Sequence, residues 1–211
     1  RFPHARVAGC DVVQPPVDAS AERGAGLDLR PSNYQFVPAN VLEGLPFPDA
    51  SFDFVHQRLL FLAIPADRWP FVLGELTRVT RPGGWVELVE TTAPQGGGPN
   101  VDLLFTWGSQ LVARRGVDTT RGTTIGAMLR QAPTLTNVEA RQIDVPFGAW
   151  GERLGNLLAT DLLTAIQSIG GLFVASGLAT AEQFEQTLAA ARADASSTQF
   201  HCVVPFFIAF G

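Results

Sequence analysis

Charge is scarce in this chain, and so is cysteine. Only 17% of its 211 residues are Asp, Glu, Lys or Arg, leaving a formal charge of −5 and a pI near 5.1. No basic run is longer than the pair Arg114 and Arg115, so the sequence lacks the charged face that nucleic-acid binding requires. Neutral or cationic small molecules are the expected partners. The two cysteines, Cys10 and Cys202, each lie in an apolar run, which favours a reduced, buried thiol over a disulfide or a metal ligand. No metal is expected. No apolar run reaches the roughly 18 residues that span a bilayer, and no basic, apolar, small-residue leader opens the chain. The expectation is a cytoplasmic protein without a membrane segment. Internal repeats are also lacking.

Apolar and aromatic residues are abundant. The hydrophobic fraction is 46%, with 15 Phe and 4 Trp, which excludes a disordered chain and predicts a Phe-rich core. The length suits one domain over residues 1–211. The first residue is Arg1 and an apolar strand follows almost at once, so the reading expects a segment upstream.

Strands and helices alternate through the first half, the pattern of a parallel sheet covered on both faces. RVAGCD (6–11) reads as a strand ending in an acid, residues 13–33 as irregular chain, and YQFVP (34–38) as a second strand. FDFVHQ (52–57) is apolar enough to be expected mid-sheet, buried on both faces. Trp69, Val72, Leu73, Leu76 and Val79 recur at helical spacing after Asp67, which can cap the start. That helix is expected to stop at the Arg81-Pro82-Gly83-Gly84 turn, before the strand WVELVE (85–90). The uncharged stretch 91–100 reads as a mobile, lid-like loop.

Residues 101–196 are expected to hold a helical insert. Leu154 to Ile169 reads as a largely apolar helix in which Asp161 is the one charge, and Thr180 with Gln183 fits a capping box. Between the helices, VEARQIDVPF (138–147) alternates as a half-exposed strand, and HCVVPFFIAF (201–210) closes the chain as an antiparallel addition to the sheet. Phe105, Trp107, Met128, Trp150 and Phe173 can line an apolar pocket, fill a core or form a homodimer face.

In open parallel sheets, ligands bind beyond the carboxyl ends of the strands. Asp11 ends the first strand, where a carboxylate can accept hydrogen bonds from ribose hydroxyls or cap a turn. Asn40, just past the second strand, can meet an adenine edge or shape a turn. His56 and Gln57 end the third strand and Glu90 the fifth-strand segment WVELVE. Among titratable side chains, Glu90, His56, His201 and Tyr34 are the candidate bases. Glu90 is chosen first, with anchorage of the loop to residue 100 as its structural alternative.

RVAGCDVV, FVPANVLEGLPFPDASFDFVHQRL and ELTRVTRPGGWVELVE, in this order, resemble the block order of class I S-adenosylmethionine-dependent methyltransferases. The tail from VPFGAW to HCVVPFFIAFG is similar to the LaeA-like and TAM-like branch. The resemblance implies an α/β, Rossmann-like, doubly wound and mostly parallel sheet with an antiparallel last strand. It implies S-adenosylmethionine across the strand ends and methyl transfer, while the acidic surface and the apolar helical insert point to a small, apolar or aromatic acceptor. Carried over by position, Asp11 with Val12 would hold the ribose, Asn40 the adenine edge, Val41 and Leu42 its face, and Gln57 and Arg58 the methionine portion. The chain departs from the family in having Asn40 where Asp is usual and in lacking the first strand with its glycine-rich loop. Without that strand, its neighbours would show unpaired edges. A non-catalytic, methyltransferase-like binding protein and a nicotinamide-dependent oxidoreductase are the competing readings.

Overall fold

The computed structural model describes residues 4–13 and 32–211. Most of the segment read as irregular chain, 14–31, lies outside the described residues. Six strands and six α-helices are described: β1 (Val7–Asp11), β2 (Tyr34–Pro38), β3 (Phe52–Arg58), α1 (Trp69–Val79), β4 (Thr80–Thr91), α2 (Pro99–Ala113), α3 (Ile125–Gln131), β5 (Glu139–Pro146), α4 (Glu152–Ser168), α5 (Gly170–Ala175), α6 (Ala181–Ser196) and β6 (Val203–Phe210). The α/β class and the antiparallel final strand match the expectation.

The strands form two sheets, one of two strands in the order β1-β2 and one of four in the order β3-β4-β6-β5. β1 and β2 are parallel, as are β3 and β4. β6 runs antiparallel to both β4 and β5. β3 is therefore an edge strand among the described residues, which corrects the mid-sheet expectation. Its apolar run is half uncovered, and Phe54 is 54% exposed.

α1 presents Trp69, Val72, Leu73, Leu76 and Val79 to the core, the i, i+3, i+4, i+7 stripe that its sequence predicts. Asp67 does not cap it: the N-cap is Arg68, which makes no side-chain cap hydrogen bond, and a proline opens the first turn. The chain leaves α1 straight into β4, so the Pro82-Gly83-Gly84 stretch is part of the strand. α1 and α3 cover one face of the four-stranded sheet, where Val86, Leu88 and Ala209 join their side chains in a core. Residues from α2, α4, α5 and α6 gather in a second core around Leu104, Leu163, Phe173, Phe184 and Leu188, which reaches the sheet through Val204.

The capping box at Thr180 and Gln183 is present. The 91–100 stretch is fastened, in contrast to the lid-like expectation, because Gln95 and Val203 exchange backbone hydrogen bonds of 2.8 and 3.0 Å. Gly97 has no room for a side chain, since a Cβ there would stand 2.6 Å from Val101. Cys202 is buried and Cys10 exposed, and neither forms a disulfide. Burial pushes the Cys202 thiol up to about 12. For Cys10 the buried-thiol expectation fails because β1 has no partner on its other edge among the described residues. No described helix is long and apolar enough to cross a membrane.

Candidate functional site

Parallel pairing brings the expected residues to strand ends in two groups. Asp11 is in register with Pro38, so the carboxyl ends of β1 and β2 lie side by side, with Asp11 and Val12 on one and Asn40 and Val41 just beyond the other. Arg58 is in register with Val89, which puts Gln57, Arg58 and Glu90 at the common end of β3 and β4.

The first group is open. Asp11 and Val12 are both exposed, and Asp11 Oδ1 accepts from Val13 N at 3.1 Å, so Oδ2 is left for a ligand. Asn40 shapes a turn, its Oδ1 accepting from Leu42 N at 3.1 Å and its Nδ2 donating to Glu43 Oε1 at 2.7 Å. One lone pair and one N–H of that amide stay uncommitted. Val41 and Leu42 pack against the sheet core, and the Arg68 guanidinium donates to Leu42 O at 2.6 Å.

Further along the same turn a compact ion cluster fixes the backbone. Arg78 donates to Leu45 O and Phe47 O and to the carboxylates of Glu75 and Asp49 at 2.7–2.9 Å. Glu75 also accepts from Leu45 N at 2.7 Å. The Arg78 hydrogen bonds hold the Glu75 carboxyl down to about 2. Sequence reasoning missed this clamp, although Glu75 and Arg78 at i, i+3 on a helical stretch were a visible signal.

The second group is divided between the two faces of its sheet, because directly paired residues share a face and neighbours along a strand alternate. Gln57 and Glu90 point to the side covered by α1. Glu90 has 0% exposure, and its carboxylate accepts from Gln57 Nε2 at 3.1 Å, Leu60 N at 3.1 Å and Phe61 N at 3.2 Å. Burial raises its pKa against the opposing pull of these donors. Glu90 thus anchors the turn after β3, where Leu59 adopts φ +56°. A base touching an acceptor needs an accessible carboxylate, so the expected catalytic role of Glu90 is corrected to an anchor of residues 60–61, not of the loop to residue 100. Gln57 is likewise buried, its Oε1 without a partner among the described residues.

His56 and Arg58 occupy the opposite face. His56 Nδ1 lies 2.7 Å from Glu87 Oε2, which leaves Nε2 outward. It is level with Glu87 and stands two residues, roughly 7 Å, before Arg58, where β3 ends. Arg58 is exposed. His201 packs its ring against Trp150 at 5.1 Å, and Tyr34 covers Gly9. Of the aromatic residues open to three readings, Phe173 is fully buried, Phe105 and Trp107 pack against the helical core, and Trp150 Nε1 donates to Cys202 O at 2.7 Å. Met128 joins the sheet core. Phe173, Phe105, Trp107 and Met128 thus pack in or against the cores, whereas Trp150 is half-buried against His201.

Residues 1–88, less than half of the chain, match the family model described as a methyltransferase domain. The chain is 29% identical over 121 residues to methyltransferase str3 of Strobilurus tenacellus, covering 55% of this chain and 43% of that protein. It is 43% identical over 65 residues to N-methyltransferase verN of Clonostachys rogersoniana, covering 30% and 23%. The chain thus matches less than half the length of these curated relatives. Among solved structures it resembles phosphoethanolamine N-methyltransferase 2 of Haemonchus contortus in complex with phosphomonomethylethanolamine and S-adenosylhomocysteine, with TM-score 0.53 and 13% identity, over 97% of this chain and 42% of that one. That likeness shows the Rossmann-like α/β fold.

Proposed function

We propose that this chain belongs to an S-adenosylmethionine-dependent methyltransferase acting on a small molecule, in the LaeA-like and TAM-like branch. The observation that carries the reading is the shared carboxyl end of β1 and β2, which holds an exposed carboxylate at Asp11 beside the amide of Asn40. Ligands of open parallel sheets bind at such ends. The family-model match over residues 1–88 covers the same strands and turns.

The residues present fit the cofactor in part. Asp11 Oδ2 is free to accept from ribose hydroxyls, Val12 offers an apolar surface beside it, and the unused N–H and lone pair of Asn40 suit an adenine edge, with Val41 below. Arg58 is free to pair with the methionine carboxylate. Gln57 does not fit, because it is turned into the core. When bound, the cofactor supplies a methyl group on a leaving group that is already activated, so positioning is the chief demand on the protein.

Calorimetry on the full-length protein with S-adenosylhomocysteine, with NADH as the comparison, tests the reading. The expected result is binding of S-adenosylhomocysteine and none of NADH. Binding of neither nucleotide would favour a non-catalytic protein, which the self-contained turn at Asn40 also suits.

A further inference from the structure

Exposed apolar residues of the helical part lie on α2 (Leu103), α4 (Leu154, Leu157) and α5 (Leu172, Val174), and the α4 pair lines a cleft. Leu154 is 56% and Leu157 59% exposed, and with Leu158 and Asp161 they form one stripe at i, i+3, i+4 and i+7. This stripe faces Val145 of β5 and Phe206 of β6 across a cleft of about 370 Å³. Five of the six lining residues are apolar, and the sixth is Asp161.

The position of the cleft follows from register. Phe206 is paired with Thr91 at the carboxyl end of β4 and with Ile143 of β5, so the cleft floor is level with the strand ends. β6 is two strands from β3, roughly 10 Å away. The cleft also lies on the sheet face that carries Arg58, since Arg58, Val89 and Ile208 are successive partners across the sheet.

Asp161 distinguishes this cleft from a plain apolar groove. It makes no hydrogen bond or ion pair with any described residue, and no basic residue stands within four positions of it on α4. A carboxylate at the end of an apolar wall is complementary to a ligand with an apolar body and one positive group. We propose that this cleft is the acceptor subsite and that it takes an apolar amine, with the hydrocarbon against Leu154, Leu157 and Phe206 and the ammonium on Asp161. The assignment as an acceptor subsite rests on the methyl-transfer reading; the ligand selectivity does not.

Three probes with one apolar body test it: 4-phenylbutylamine, 4-phenylbutanol and 4-phenylbutyrate, titrated by calorimetry at pH 7 into the full-length protein without nucleotide. The amine is expected to bind about two- to fivefold more tightly than the alcohol, since Asp161 is exposed and a solvent-exposed ion pair is worth about that much, and the carboxylate more weakly than either. Asp161→Asn should bring the amine to the level of the alcohol and leave the alcohol unchanged. Leu157→Ser should weaken amine and alcohol alike. Equal binding of amine and alcohol, or an amine preference that survives Asp161→Asn, would overturn the proposal. So would a dimer in sedimentation that Leu157→Ser dissociates, because a second copy would then occupy the cleft. S-adenosylhomocysteine is titrated separately. Its failure to bind while the amine preference holds would remove the acceptor role, and loss of the preference while the nucleotide binds would remove only the amine.

Discussion

Asp11 and Glu90 sit in equivalent local positions, each a carboxylate at the carboxyl end of a parallel strand, β1 in one case and β4 in the other. Asp11 is exposed and Glu90 has no accessible surface. The difference comes from what covers the strands. β4 is backed by α1 and by the turn after β3, whose amides consume the Glu90 carboxylate. Among the described residues β1 is paired only with β2. An acid at a strand end is thus a binding group or an internal anchor according to its cover, and its residue type does not decide which.

The largest effect expected from this contrast is on stability. Glu90→Ala should cost about 3 kcal/mol in urea unfolding, because it strands two backbone amides and the Gln57 amide without an acceptor. Asp11→Ala should stay within roughly 0.5 kcal/mol. Similar costs for the two would break the comparison.

The next effect is in pH dependence, where Glu90 and Glu75 should act with opposite sign. The folded pKa of Glu90 is raised above the unfolded 4.5, so between those values the native state holds more protons and stability falls as pH rises. The folded pKa of Glu75 is lowered to about 2, so its contribution is present above the unfolded value and is lost as pH falls toward 2. Glu75→Gln should cost about 1 to 2 kcal/mol at pH 7 and flatten the acid limb of the stability curve. Glu90→Gln should flatten the opposite slope. Denaturant midpoints measured from pH 2 to 8 check both.

Much of the fold was legible in the sequence. FDFVHQ and WVELVE marked β3 and β4, the Trp69 to Val79 stripe marked α1, and Thr180 with Gln183 marked the start of α6, because these signals are local. Sidedness was not legible. Whether Gln57 or His56 faces the strand ends depends on which face α1 covers, and whether β3 is central depends on which strands flank it. The 91–100 stretch looked loose because its fastening partner, Val203, lies about a hundred residues away in sequence. Asp161 was visible as a lone charge, but its cleft exists only once β5 and β6 are paired.

A smaller effect separates the cysteines. Cys10, on the thinly covered β1, should react with a water-soluble thiol reagent in the folded protein, and Cys202 only on unfolding, because the reactive thiolate of Cys202 is both buried and scarce with its pKa near 12. Mass spectrometry of the labelled native protein should show one adduct, at Cys10.

The central claim is that the open carboxyl end of β1 and β2 holds the nucleoside of S-adenosylmethionine. Its most direct test is titration of S-adenosylhomocysteine into the full-length protein and its Asp11→Ala variant. Loss of a charge-assisted hydrogen bond should weaken binding by about 1.5 to 3 kcal/mol, roughly 10- to 150-fold, with the unfolding midpoint nearly unmoved. A dissociation constant unchanged by Asp11→Ala would contradict the claim.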